Sequence, residues 1–270
     1  MQDLRLAQLF SFGAIVGAAA IFMVAERLFP YNRGQKLLRT GFWLDMLWYN
    51  FFQSFALALV ISTLLEAIRH ALHLGPVGWV SGWPIWAQVA FFVVTHDLYI
   101  YSFHRLQHQV PALWRLHEAH HSVPEVDWLS GIRSHPLEIL INQTIEYAPM
   151  ILLGASPVAI LYKSAFGSIY GMFIHSNLPV RLGPLLWVLN GPEMHRWHHA
   201  NCDAGAYNKN FATKFALWDR LFGTFFDPGA RKAKDYGLVE EAFPEGKLRY
   251  LFLDGYLRQV LLAFRKRHAA

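Results

Sequence analysis

Cysteine is nearly absent from this sequence, because Cys202 is the only one in 270 residues. One thiol excludes an intramolecular disulfide framework, and it also excludes a zinc or iron–sulfur site built on cysteine ligands. Charge is scarce as well: Asp, Glu, Lys and Arg make up 16% of the chain, whereas soluble domains contain about 25%. The net charge of +5 is not gathered into a basic stripe with interleaved aromatics, so we expect no nucleic-acid partner.

Hydrophobic residues take the place of the missing charges and make up 54% of the chain. Residues 6–25 and 46–65 are uncharged stretches, each long enough to cross a bilayer core as a helix. A third apolar stretch begins near Trp83 and becomes polar towards residue 103. Residues 139–174 predict two shorter apolar helices that meet at a Gly-Ala-Ser-Pro break. We therefore predict an all-α membrane protein with about four transmembrane or hairpin helices.

Basic residues predict the orientation of these helices. The loop between the first two stretches carries four of them: Arg27, Arg33, Lys36 and Arg39. The loop after the second stretch carries only Arg69. By the positive-inside rule the first loop is cytoplasmic, and the histidine motifs described below then form a helical cap on the cytoplasmic side. The tail over residues 248–267 has apolar residues at helical spacing and a basic end, which predicts a helix lying in the membrane interface.

Histidine is enriched, with 14 residues, and eight of them form three short motifs. The motifs are His104-Arg-Leu-Gln-His108, His117-Glu-Ala-His120-His121 and His195-Arg-Trp-His198-His199. On a helix, positions i, i+3 and i+4 lie on one face, so each motif can present several imidazoles to a single metal ion. Composition alone gives an expectation of about 0.04 for the HxxHH pattern, which occurs twice. The motifs therefore indicate metal binding.

The ligand chemistry narrows the identity of the metal only in part. Imidazole ligation suits zinc, copper, nickel and iron alike, but eight clustered histidines are twice what a closed structural zinc site uses. The number fits two metal ions, and a redox pair beside apolar helices indicates oxygen chemistry on a lipid, for which iron is the usual choice. Two other function classes stay open. A membrane zinc hydrolase needs three ligands and a general base per metal, and a metal transporter needs ligands inside its spans.

The three motifs, in this order after hydrophobic stretches, resemble the histidine boxes of the fatty acid hydroxylase/sterol desaturase superfamily of integral membrane di-iron enzymes. Asp97 and Tyr101 ahead of the first box, the RSHPLE segment at 133–138 and the WDRLFGT segment at 218–224 add to the resemblance. The expected division of the chain is an N-terminal transmembrane region over 1–89, a histidine-box catalytic domain over 90–226 and an interfacial tail over 227–270.

The resemblance implies the activity, the cofactors and the partners. The implied reaction is O₂-dependent hydroxylation of an unactivated C–H bond in a lipid that enters from the bilayer. Desaturation at the same site is the alternative, because both reactions begin with the same hydrogen abstraction. Two iron ions are the implied cofactor and O₂ is the co-substrate. Electrons are expected from a separate protein (cytochrome b5-like, a ferredoxin or a flavin reductase), because no segment is left over for a fused cytochrome b5 domain.

The resemblance also implies a set of metal ligands. The nine matching histidines are His104, His108, His117, His120, His121, His175, His195, His198 and His199. Some family members have a further histidine four residues after the one at 175, where this sequence has Pro179. One ligand is then missing or supplied from elsewhere. His135 is the candidate, either as a ligand or as a helix-start residue behind the ligands.

Carboxylates near the boxes are candidates for holding imidazoles, because metal-bound histidines usually donate their second N–H to a carboxylate or a carbonyl. Asp97 and Glu118 are two such candidates, and a solvated helix charge is the alternative for Glu118. Asp219 is expected either to hold a box imidazole or to cap the fold. His96 has no partner at box spacing, so we expect it in the core, paired with Asp97. The histidines expected to be solvated are His70, His73 and His268.

Overall fold

A computed structural model describes residues 2–73, 78–238 and 243–265, whose regular secondary structure is helical, with no β-strand among them beyond one isolated bridge. This confirms the all-α prediction. The α-helices are α1 (Gln2–Leu28), α2 (Phe42–Leu44), α3 (Ser54–Ala71), α4 (Ile85–Gln109), α5 (Pro111–His121), α6 (Pro136–Leu152), α7 (Pro157–His175), α8 (Pro192–His199), α9 (Leu217–Leu221) and α10 (Arg258–Leu262). A π-helical segment, Asp45–Gln53, joins α2 to α3, and a second one, Leu251–Leu257, precedes α10.

In the described part of the chain, three helices are long and apolar enough to cross a membrane: α1, the continuous helix Phe42–Ala71, and α7. The first two confirm the uncharged stretches predicted at residues 6–25 and 46–65. The stretch that begins near Trp83 forms α4, but its second half carries histidines and an aspartate, and it is not one of the three. The predicted hairpin forms as α6 and α7 around the break at 154–157. The count of about four membrane segments stays a prediction.

Proline sets the beginning of the helices that carry the boxes and the hairpin. Pro111, Pro136, Pro157 and Pro192 each occupy the first turn of their helix. Proline suits this position because its fixed φ fits a helix and its missing N–H would have no helical partner there. Proline thus marks the beginning of two of the three box helices, α5 and α8, and of both hairpin helices.

The helix ends bring the predicted ligands to one end of the bundle. The first box lies in the last turns of α4, the second closes α5, and His175 is the last residue of α7. The third box occupies α8, which packs against α7. Helix α7 packs against α1 and α4, whereas α6 packs chiefly against α3. The membrane-spanning part and the histidine cap thus share helices.

A buried ion network lies under the cap. Arg39 pairs with Asp45 and Asp127 at 2.7 and 2.8 Å, and Arg133 pairs with Asp45 and Glu245 at 2.7 Å each. Both guanidinium groups are inaccessible to solvent. Of the four basic residues used to predict orientation, Arg39 is therefore neutralised inside the protein, and three remain to follow the positive-inside rule.

The C-terminal tail is helical up to residue 262, as its spacing predicts, and part of it packs against protein. Leu251 and Tyr256 are buried against Leu44 and Tyr49. The Tyr49 hydroxyl also donates to the Gln259 side chain at 2.6 Å. Lys266 and Arg267 at the basic end of the predicted interfacial helix, and His268 beyond them, lie outside the described residues.

The cytoplasmic placement of the cap can be checked with topology reporters. A fluorescent protein that folds only in the cytoplasm, fused after Ala270, is expected to fluoresce, because three basic residues still mark the first loop as cytoplasmic. The same reporter inserted after His73, in the loop beyond α3, is the matched control and is expected to stay dark. The opposite pattern would reverse the orientation.

Candidate metal centre

All nine histidines that match the boxes come together in two adjacent groups. The five-histidine group consists of His104, His108, His117, His121 and His198. The four-histidine group consists of His120, His175, His195 and His199. Within each group the candidate ligand atoms all lie within 4.8 Å of one another. The groups meet where the rings of His121 and His199 stack, with centroids 4.4 Å apart. This is a suitable arrangement for two neighbouring metal ions.

The Nε2 atoms point towards one another inside the groups. In the four-histidine group, His175 Nε2 lies 2.8 Å from His195 Nε2 and 3.3 Å from His120 Nε2. In the five-histidine group, His121 Nε2 and His198 Nε2 are 3.1 Å apart. The Nε2 atoms of His104 and His117 are buried without a hydrogen-bond partner in the described part of the chain. Buried donor atoms that face one another in this way fit a bound cation, which supplies the charge that their lone pairs need.

The Nδ1 atoms explain why Nε2 is the atom that faces inwards. Five imidazoles have Nδ1 within hydrogen-bond distance of an oxygen: His104 of Phe211 O, His117 of Glu138 Oε1, His120 of Arg133 O, His175 of Gly171 O and His198 of Lys209 O. These distances run from 2.7 to 3.1 Å. Because the oxygens can only accept, each Nδ1 carries the proton and each Nε2 keeps its lone pair for a metal.

Burial also keeps the imidazoles uncharged. Desolvation, the largest cause, lowers the pKa of His117, His120, His121, His195 and His199 well below the usual value, and the neighbouring imidazoles lower it further. A neutral imidazole is the form that binds a metal ion. The cap is thus prepared for metal at neutral pH without any deprotonation step.

Asp97 and Asp219 support the site through the backbone. The prediction that Asp97 holds an imidazole directly is therefore wrong, whereas the contacts of Asp219 fit the second of its two expected roles, capping the fold. Asp97 accepts hydrogen bonds from Thr213 Oγ1, Lys214 N, Phe215 N and Trp218 Nε1. Asp219 accepts from Phe211 N, Ala212 N and Thr224 Oγ1. Both carboxylates therefore order the segment 211–219. That segment contains the Phe211 carbonyl that receives the His104 Nδ1 proton.

Glu138 is the carboxylate that contacts an imidazole of the two histidine groups among the described hydrogen bonds. Its Oε1 lies 2.8 Å from His117 Nδ1 and also accepts from Gln107 Nε2 at 2.8 Å. In the sequence, Glu138 stands out only as part of the RSHPLE segment. Its spacing gave no signal, because it lies 21 residues beyond its partner. A buried carboxylate in the first turn of α6 is the feature that points to it, and burial is visible only in the fold.

His135 lies at the start of α6 and outside both groups. Its Nδ1 accepts from Leu137 N at 3.1 Å, which caps the helix, and its Nε2 donates to Val260 O at 3.2 Å. Both ring nitrogens are therefore already engaged. Of the two roles considered for it, the structure supports the helix-start residue.

Two further expectations need correction. Glu118 is completely buried and forms an ion pair with Arg115 at 2.6 Å, so the solvated alternative is wrong. His96 is half-buried inside the bundle as expected, but its partners are Lys163 and Glu146 and not Asp97. Of the histidines expected in solvent, His70 is exposed beside Glu66 and His73 is exposed in the following loop.

The comparisons with known proteins agree with the geometry. The sequence profile described as Fatty acid hydroxylase matches residues 89–224, about half of the chain. The chain is 34% identical to an ornithine lipid hydroxylase of Rhizobium tropici over 161 residues, which are 60% of this chain and 48% of that protein. It is 35% identical to an alkylglycerol monooxygenase of Danio rerio over 153 residues, 57% of this chain and 33% of that protein.

A more distant relative is methylsterol monooxygenase 1 of Rattus norvegicus, 29% identical over 133 residues, which are 48% of this chain and 44% of that protein. The match with this chain thus spans half or less of the length of each of these curated relatives. No solved structure matches the chain.

Replacing a histidine of the four-histidine group tests the assignment of ligands. His120→Ala or His199→Ala is expected to remove most of the bound metal and all turnover, because each removes a converging nitrogen. His70→Ala, which is exposed, should leave the metal content unchanged. His135→Ala should also keep the metal but lower the unfolding free energy by about 1 kcal/mol, because it removes a helix cap. Metal loss in His135→Ala equal to that in His120→Ala would make His135 a ligand.

Asp219→Ala tests support through the backbone. It removes two hydrogen bonds to the segment that fixes His104 and a third to Thr224, so the metal affinity of the five-histidine group should fall about 10- to 100-fold, while the four-histidine group keeps its metal. Metal analysis during a chelator titration measures the metal content of both groups. Asp203→Ala, which removes contacts of an exposed turn with Gly205 N and Arg231, is the matched control. Equal loss from both groups would contradict this division.

Proposed function

Because the chain belongs to the fatty acid hydroxylase family, we propose that it is an integral membrane di-iron enzyme that hydroxylates an unactivated C–H bond of a membrane lipid. The names of the relatives support this reaction class: one is a lipid hydroxylase and the others are monooxygenases acting on alkylglycerols and methylsterols. The three lipids have different headgroups and skeletons. The chemistry they share is therefore the part that we carry over to this chain.

The observation that carries the proposal is the pair of adjacent histidine groups. In the proposed enzyme, one iron would be held by imidazoles of the five-histidine group and the other by those of the four-histidine group. When bound, such irons supply the reduction of O₂ and the removal of a hydrogen atom from a C–H bond that has no activating neighbour. Nine nitrogen donors in two touching groups are more than a single-metal site needs.

The chain's own residues hold the ligands and exclude water. The Nδ1–H groups of His104, His120 and His198 donate to backbone carbonyls, so these rings cannot turn without losing a buried hydrogen bond. Glu138 does the same for His117 and is itself held by Gln107. This second layer of contacts fixes the direction of each Nε2 lone pair before any metal arrives.

The reaction also defines the partners. Converting R–H and O₂ into R–OH and water consumes two electrons and two protons, so a separate electron-donor protein is required: a cytochrome b5-like protein, a ferredoxin or a flavin reductase. The lipid comes from the bilayer. An apolar groove between α4 and α7, lined by Trp86, Val93 and Phe166 among others, opens on the face of these helices and offers acyl chains a place to lie.

The two rival classes are less well supported by the geometry. A zinc hydrolase needs a general base beside a metal-bound water, and both groups consist entirely of histidine, with Glu138 occupied by His117 and Gln107. A transporter would need its ligands inside the spans, whereas these lie at helix ends and in the cap.

Turnover under ¹⁸O₂ tests the reaction. Purified protein loaded with iron, supplied with reductant and with bacterial lipid extract, is expected to give a lipid alcohol carrying one ¹⁸O, because hydroxylation inserts an atom of O₂. Metal analysis of the same sample should find iron and not zinc. An unlabelled product two hydrogens lighter would change the assignment to desaturation. Zinc together with turnover independent of reductant would favour the hydrolase.

A further inference from the structure

A set of large apolar side chains is exposed on the outside of the histidine cap. They belong to two segments, the 3₁₀ helix Gly183–Trp187 and α9, each with the residue that follows it. Leu217 N donates to Val188 O at 3.4 Å, so the two segments lie side by side. Six side chains, each 37–65% exposed, define this cap patch: Leu185, Trp187, Val188, Leu217, Leu221 and Phe222. An exposed apolar surface of this kind usually marks contact with a partner or a membrane.

The chain that leads into the cap patch runs back along the outside of the membrane helices. The Tyr170 hydroxyl, on α7, lies 3.2 Å from Lys214 O, and Phe215 lines the same apolar groove as Phe166. Phe166 precedes His175 by nine residues, which is about 14 Å along α7. Because α7 is long and apolar enough to cross a membrane, this part of the cap returns to a level of the bundle that lipid would surround.

The cap patch is also continuous with the apolar groove between α4 and α7. The groove has a volume of about 700 Å³, and Phe215 forms its wall on the side of the cap, opposite Val93 and Phe166. Leu217, the first residue of α9 and a member of the cap patch, follows Phe215 by two residues. Because the groove opens on the face of the membrane helices, the lipid that covers the groove would reach the cap patch as well.

Cationic side chains stand at the edge of the cap patch. The Arg220 guanidinium lies between the rings of Trp187 and Phe225, with its carbon 4.1 and 3.7 Å from their centroids. The Lys209 ammonium donates to Gly223 O at 3.2 Å, directly after the last residue of the patch. In the part of the chain that the structure describes, neither cation forms an ion pair with a carboxylate. Both charges therefore remain available to an anion outside the protein.

This combination of residues favours a lipid surface over a protein partner. Tryptophan together with arginine or lysine at the border of an apolar surface is typical of segments that lie in the membrane interface. The acidic residue of α9, Asp219, is buried and accepts from Phe211 N and Ala212 N, so it does not face outwards to repel an anionic headgroup. The apolar patch and its cationic edge thus complement the two layers of an anionic bilayer surface, the acyl chains and the phosphates.

We propose that the cap patch lies in the membrane interface and contacts an anionic phospholipid surface. Leu221 and Phe222 enter the acyl region, and Arg220 and Lys209 lie at the level of the phosphates. The histidine cap is then held against the bilayer on the side where the groove between α4 and α7 opens. This contact goes beyond the proposed function, because it would hold for any reaction at the histidine groups.

Fluorescence quenching measures whether the cap patch touches lipid. The dye NBD is attached to Leu221→Cys in a Cys202→Ser background, with the full-length protein in nanodiscs of phosphatidylcholine and phosphatidylglycerol. The ratio of quenching by doxyl-labelled phospholipid to quenching by aqueous iodide should be about five-fold higher than for dye on the native Cys202, which is exposed outside the patch. Phe55→Cys, at an exposed position of α3, gives the ratio for a site in lipid, and Leu221→Cys should approach it.

Two results would overturn the proposal. A ratio at Leu221→Cys equal to that at Cys202 would place the cap patch in water. Protection from both quenchers would show that protein covers the patch, and in a purified sample that protein is a second copy of this chain. Leu185→Cys, at the other exposed segment of the patch, gives the same measurement where Leu221→Cys does not fold.

Lipid composition and charge variants test the cationic edge. In nanodiscs of phosphatidylcholine alone the ratio at Leu221→Cys should fall about two-fold, and Arg220→Gln should cause a similar fall in the mixed nanodiscs. Arg220→Lys, which keeps the charge, should restore the ratio. Lys234→Gln, at an exposed lysine outside the patch, is the matched control and should leave it unchanged. Equal ratios with and without phosphatidylglycerol, or a fall in Arg220→Lys as large as in Arg220→Gln, would overturn the recognition of anionic headgroups.

Discussion

Imidazoles that point their Nε2 atoms at one another are the arrangement on which the rest of this structure depends. Neighbouring Nε2 atoms come as close as 2.8 Å, and burial lowers the pKa of the histidines in the cap, so the rings are uncharged. Cations between the nitrogens would take up their lone pairs. Until they bind, the surrounding protein must hold the rings in place, and the free energy for this comes from the packing and hydrogen bonds of the shell around them.

The residues that surround the histidines come from distant parts of the chain. The carbonyl that receives the His120 proton belongs to Arg133, whose guanidinium is fixed by Asp45 near the N-terminal helices and by Glu245 near the tail. Gly41 lies against the same group at φ +80°, where an added Cβ would come within 2.3 Å of the guanidinium and 2.1 Å of Glu245. Contacts therefore cross both boundaries of the predicted histidine-box domain, and residues on either side of it contribute to the position of a ligand.

Sequence reasoning succeeded where the relevant distances are local. Helical spacing predicts the shared face of each of the three boxes, and the resemblance adds His175. It failed where a partner is far along the chain. Asp97 binds a segment 116 to 121 residues away, and Glu138 reaches its histidine only after the chain turns back through 122–135. No periodicity encodes such contacts. Glu118 shows the same limit, because its burial is a property of the assembled cap.

Sharing helices between the membrane and the cap has a mechanical consequence. Helices α4 and α7 each begin in an apolar environment and end at ligands, so their packing along the bundle sets the position of the histidines at its end. In the proposed reaction, a lipid lying in the apolar groove between α4 and α7 would contact the same helices that hold the histidine groups. An electron donor would then approach from the side of the cap, so the two partners would reach one buried site from different sides.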